Sequence, residues 1–129
     1  MITNKKGVIR LPRIFGQTPQ GKAKLQNCID FVFNRVSAEV KKGKGTKFNA
    51  QTLFGGANYN WCQLGYPIGD IWIACDEKYD DEGYLDHEER AVRQAGIYVG
   101  YILKYVCHKL ITANIKMKSN FCNIEYEVL

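Results

Sequence analysis

The chain has 129 residues, 46% hydrophobic and 24% charged, the composition of one globular domain and not of a disordered segment. No apolar run reaches bilayer-spanning length, so no membrane partner is expected, and the Lys/Arg-bearing start lacks the apolar stretch and cleavage site of a secretory signal. The net charge of +5 is segregated: residues 1–47 carry +9, 48–75 carry −1, 76–89 carry −7 and 90–129 carry +4. This polarity suits an acidic partner at the basic end, head-to-tail contact between copies, or charged regions that neutralise each other within one fold.

In chain order, Gly7–Leu11 reads as a short strand stopped by Pro12. Thr18-Pro19 opens a helix, with Thr as N-cap and Pro at the first position. Leu25, Ile29, Val32, Val36 and Val40 recur at helical spacing with Phe33 beside them. Lys41, Lys42 and Gly43 close the helix. A basic turn at 43–47 leads into a strand expected over Phe48–Phe54. Residues 54–76 then combine four Gly, a Pro and the rings of Phe54, Tyr59, Trp61, Tyr66 and Trp72, as in loops whose rings cover a site.

Within that stretch Asp70–Asp76 alternates. Ile71, Ile73 and Cys75 would face a core, and Asp70, Trp72, Ala74 and Asp76 would face outward. Asp86, with Glu89 three residues on, makes a capping box for a long helix reaching about Thr112. Its core face holds Val92, Ala95, Gly96, Val99, Ile102, Leu103, Val106 and Leu110. The opposite face carries Arg90, Arg93, Ile97, Tyr98, Tyr101, Lys104, Tyr105 and His108, too apolar for a merely solvated surface. Ile115–Met117 and Phe121–Val128 read as a closing hairpin with Ser119-Asn120 in the turn. The expected fold is α+β, a single domain of two long helices on an antiparallel sheet of about four to five strands.

The five cysteines (28, 62, 75, 107 and 122) are scattered and odd in number. They predict reduced thiols and a cytoplasmic protein, with neither a disulfide framework nor zinc spacing. Asp70 and Asp76 on a strand would stand ~20 Å apart, too far for one metal or an acid/base pair. Cys107 and His108 are adjacent and point apart on a helix. Residues 78–89 resemble an EF-hand calcium loop, with Asp80, Glu82, Gly83, Leu85, Asp86 and Glu89 at the third, fifth, sixth, eighth, ninth and twelfth places. Lys78 departs from that pattern at the first place, and the strand reading of 70–76 departs from it before the loop. Asp80, Glu82, Asp86 and Glu89 are therefore only calcium candidates in an acidic turn, and neither a cofactor nor a metal is assigned.

These features favour a non-catalytic, self-associating binding protein for a phosphate-bearing ligand, a nucleotide signal or a nucleic acid. Such small basic proteins often come from phages or mobile elements and act by sequestration or inhibition. Lys44, Lys47, Arg90 and Arg93 would supply charge, and Tyr59, Trp72, Tyr98 and Tyr101 would stack on bases. Tyr98, Tyr101 or Tyr105 is expected at a contact between copies, making the protein a homo-oligomer. The alternative is a protein–protein inhibitor or adaptor whose acidic 76–89 segment fills a basic groove. A third reading, a small hydrolase or transferase using Asp70, Asp76 or Cys62, lacks a convergent acid/base pair.

Overall fold

A computed structural model describes residues 11, 13–55, 67–120 and 123–129. The strand expected over Gly7–Leu11 lies, apart from Leu11, outside the described residues, as do Tyr59, Trp61, Cys62, Tyr66 and Cys122. Three helices, α1 (Pro19–Lys41), α2 (Ile68–Asp81) and α3 (His87–Tyr105), accompany a small antiparallel sheet of β1 (Lys47–Phe48), β2 (Ile115–Asn120) and β3 (Asn123–Val128). The mixed helix-and-sheet class agrees with the expectation. The proportions do not: among the described residues there are three α-helices instead of two, and three strands in the order β1-β3-β2 instead of four or five.

α1 begins as its sequence dictates. Thr18 Oγ1 accepts from the Gly21 N–H at 3.0 Å, satisfying one amide of the first turn. Its buried stripe is Cys28, Ile29, Val32 and Val36, while Phe33 is on the exposed side. The helix ends at Gly43, whose φ of 104° reverses the chain towards β1.

The strand expected over Phe48–Phe54 stops after Phe48 because Asn49 caps a turn instead. Its Oδ1 accepts from the Thr52 N–H at 2.8 Å, and Thr52 Oγ1 accepts from the Asn49 N–H at 2.9 Å. This reciprocal pairing starts a π-helical turn over Gln51–Gly55.

The strand expected over Asp70–Asp76 is α2. Ile71 and Cys75 satisfy both a twofold and a 3.6-residue period, so the flanking residues decide. Ile68 and Ile71 are buried, Ile73 is 48% exposed, and Trp72 packs against the core. A strand would have reversed Trp72 and Ile73.

α3 buries Ala91, Ala95, Val99, Ile102 and Leu103, then widens into a π-helical turn, Val106–Leu110, that buries Val106 and Cys107. β2 and β3 pair from Ile115↔Val128 to Asn120↔Asn123. Ser119 and Asn120, expected in the turn, therefore lie on β2. Phe48 stacks on Tyr126 at 5.5 Å between ring centroids, and His108 meets the edge of the same ring at 6.4 Å. These contacts seat the sheet against the end of α3. One hydrophobic cluster joins all three helices and the sheet.

Candidate functional site

The most sharply defined surface feature is the tip of the α2–α3 hairpin. Asp80 and Asp81 end α2, and Glu82 caps it. The Gly83 N–H then donates to the Asp80 carbonyl at 2.9 Å, and the Tyr84 N–H to the Tyr79 carbonyl at 3.1 Å. These two bonds form a Schellman closure, which needs a left-handed residue at Gly83; its φ is 88°. The hydrophobic contact that accompanies such a closure is present, with the Tyr79 and Tyr84 rings meeting edge to face at 5.8 Å.

Arg90 locks the other side. Its guanidinium lies 3.9 Å from the Tyr84 ring centroid, and its Nε donates to Asp86 Oδ1 at 2.9 Å. The expected capping box is absent because the Asp86 carboxylate turns to Arg90 and makes no side-chain cap to the α3 backbone. That hydrogen bond holds the Asp86 carboxyl below the usual carboxylate range.

His87 clamps the two helices. Its Nδ1 is 2.5 Å from Asp76 Oδ1, and its Nε2 is 3.8 Å from Asp80 Oδ1. The hydrogen bond to Asp76 raises the imidazole pKa above its ordinary value, against a smaller opposing effect of desolvation. Sequence reading missed this pair because it put Asp76 on a strand; on a helical hairpin, Asp76 and His87 approach naturally. A general base needs a free ring nitrogen facing substrate. Both nitrogens here face carboxylates, so the cluster works as an ion-pair clamp.

The connection between the helices, Glu82–Asp86, has too few residues to wrap an ion. A helix does precede the acidic stretch, contrary to the strand reading. However, Asp80 sits on that helix, and Asp86 is bound to Arg90. Among the described residues no group of three or more His, Cys, Asp and Glu side chains is placed to hold a metal ion.

The residues expected to bind phosphate do not converge. Arg90 and Arg93 occupy the first turns of α3 beside the acidic tip. Lys44 precedes β1 and Lys47 opens it, at the sheet end of the molecule. The 19 residues of α3 separate these ends by ~28 Å. The turn before β1 does not offer an amide nest. The N–H groups of Lys42, Gly43, Gly45 and Thr46 already donate to the carbonyls of Glu39, Val40, Val128 and Gly43. Lys47 stands opposite Glu127, as does Lys116 from the other side, and Lys118 stands opposite Glu125, so the lysines of the sheet alternate with carboxylates.

Trp72 is half-buried against the core, with its Nε1 buried and without a hydrogen-bond partner among the described residues. It is not the exposed stacking face expected of it. Tyr98 is half-buried in the same way, whereas Tyr101 is 48% exposed. Asp70 and Asp76 share α2, six residues and therefore ~9 Å of rise apart, on different sides of the helix. A shallow cleft of about 380 Å³ between the start of α1 and α2 is lined by Phe15, Lys24 and Lys78, but also by Glu77 and Asp81. Its two lysines and two carboxylates cancel, so the cleft has no net charge with which to select an anion.

Burial pushes the thiols of Cys28 and Cys107 up to about 12 and that of Cys75 up to about 11, so they pack as small apolar groups. Among the described residues no helix is long and apolar enough to cross a membrane. Comparison with protein-family models, curated proteins and solved structures finds no match to this chain.

Proposed function

We propose that this chain is a non-catalytic protein–protein inhibitor or adaptor that presents the α2–α3 tip to a basic groove on its partner. The observation that carries the reading is the apex itself. Leu85 is 101% exposed and Tyr84 39% exposed, on a turn held shut by the Schellman closure and the Arg90 stack. Eight carboxylates lie within residues 76–89. A single exposed leucine is ordinary on a protein surface. One held rigidly at an apex and rimmed by charge has the anatomy of an interface centre, an apolar anchor inside a polar border. Little ordering entropy remains to be lost on binding, because the turn is already fixed. The field at the tip repels polyphosphate and attracts Lys- and Arg-rich surfaces. The setting is cytoplasmic, where Cys28, Cys75 and Cys107 stay reduced.

The test is a photoreactive amino acid in place of Leu85, irradiated in the native host, with adducts identified by mass spectrometry. A discrete protein adduct that disappears when Asp80, Asp81 and Glu82 are changed together to Lys, and weakens steeply with salt, supports the reading. An adduct indifferent to that charge reversal refutes it. Stabilisation of the purified protein by a nucleotide or short nucleic acid, undiminished by the same reversal, would favour the phosphate-ligand alternative.

A further inference from the structure

We infer that the outer stripe of α3 is a self-complementary surface that pairs antiparallel with the same stripe of a second copy. The opposite face of α3 is not uniform. Tyr98 and Tyr105 are packed against the protein's own core, which leaves Arg93, Ile97 and Tyr101 standing out. Ile97 is 51% and Tyr101 48% exposed. These three residues are four apart, so they line one side of the helix at equal steps of ~6 Å. Glu89 extends the stripe towards the N-terminus and Lys104 towards the C-terminus.

The order of these side chains selects the partner. A twofold axis through Ile97 sets Ile97 against Ile97 of the second copy. The same operation sets Arg93 against the second copy's Tyr101, where a guanidinium meets a ring face. It also brings Glu89 within reach of the second copy's Lys104. Each contact is made twice, as an isologous interface requires. Apolar then meets apolar and cation meets ring, while Lys104 comes between Glu89 and Arg90 of the second copy. Arg90, which would approach Lys104 of the second copy, is drawn away by Asp86 and Tyr84. A Cβ added at Gly100, at the stripe's edge, would meet no atom within 4 Å, which leaves room at that point for a second helix. Because the helices run antiparallel, the acidic tips point to opposite ends of the pair and stay open. The pairing is therefore independent of the partner reading above.

Sedimentation velocity across a micromolar concentration series tests the arrangement. The wild-type protein is expected to approach the mass of two chains. Ile97→Asp should give one chain with an unchanged circular dichroism spectrum, since Ile97 is outside the core. Glu89→Lys and Lys104→Glu should each weaken association about fivefold, because two exposed ion pairs are lost per dimer. Glu89→Lys combined with Lys104→Glu should restore the homodimer while pairing poorly with wild type. A one-chain mass for the wild type throughout overturns the inference, as does a dimer indifferent to Ile97→Asp. A dimer that the combined charge swap fails to restore overturns the antiparallel register.

Discussion

Replacing Gly83 by Ala tests whether the tip is as rigid as its hydrogen bonds imply. Gly83 holds φ at 88°, and a Cβ added there would meet no atom within 4 Å. The cost of Ala is therefore conformational and not steric. Holding an L-residue in the left-handed region costs about 1–2 kcal/mol. Loss of glycine's freedom in the unfolded chain returns about 0.4–1 kcal/mol. The net expectation is a loss of about 1 kcal/mol, or ~4 °C in Tm for a chain of this length. Asn tolerates the left-handed region better than Ala, so Gly83→Asn should lose about half as much. Urea and thermal unfolding followed by circular dichroism measure both variants. Ala as stable as Gly, or Asn no better than Ala, would refute the argument that the turn depends on a left-handed residue. The same variants should weaken the Leu85 cross-link in the order Gly, Asn, Ala if the partner reads a preformed apex.

Leu103 is 2% exposed within the cluster that joins the helices to the sheet; Leu103→Ala should cost about 2–5 kcal/mol in urea unfolding, and a loss below about 1 kcal/mol would contradict its place in a close-packed core. His87 has a folded pKa above its unfolded value, so its stabilisation is complete below about pH 6.5 and is lost as pH rises through the folded value. Tm should therefore decline through that alkaline window in the wild type and stay flat in His87→Gln, and equal slopes in the two proteins would count against the clamp. His108 acts in the opposite sense: desolvation, aided by Lys104, lowers its pKa, so its contribution is present above about pH 6.5 and lost as pH falls through the folded value, outside the window that reports His87.

α1 and α3 were legible because their signals agree at every level. In α1 the Thr-Pro opening, the apolar spacing and the Lys-Lys-Gly close all specify one helix. In α3 the apolar period runs from Ala91 to Val106, but its face is turned towards Ala91, which leaves the expected core residues Val92 and Gly96 half-buried and Leu110 exposed, and the cap differs because Arg90 competes for Asp86. α2 was not legible from Asp70–Asp76 alone. Seven residues sample less than two helical turns, and Ile71 with Cys75 fits either period. Ile68, just before the window, would have tipped the balance towards a helix. The error spread to the site. A strand at 70–76 hides the Asp76–His87 clamp, makes Trp72 look exposed and leaves the acidic stretch as a loop instead of a helical apex. β1 failed for another reason: two side-chain hydrogen bonds between Asn49 and Thr52 outweigh the modest strand preference of Phe48–Phe54.

Net charge misleads here about what a partner encounters. A chain of +5 invites an anion-binding interpretation, and the first 47 residues, at +9, reinforce it. The acidic tip and the sheet end are separated by the length of α3, ~28 Å. At physiological ionic strength charges are screened over about 8 Å, so more than three screening lengths lie between the ends. A partner docking at Leu85 therefore meets the −7 of residues 76–89 and little of the lysines around β1. The cations nearest the tip are committed within it: Arg90 to Asp86 and Tyr84, and Lys78 over the Tyr79 ring at 5.6 Å. They stiffen the apex without reversing its sign. Arg90, which looked like a phosphate ligand in the sequence, thus becomes, in the fold, part of the frame that holds an acidic, leucine-tipped surface in one shape.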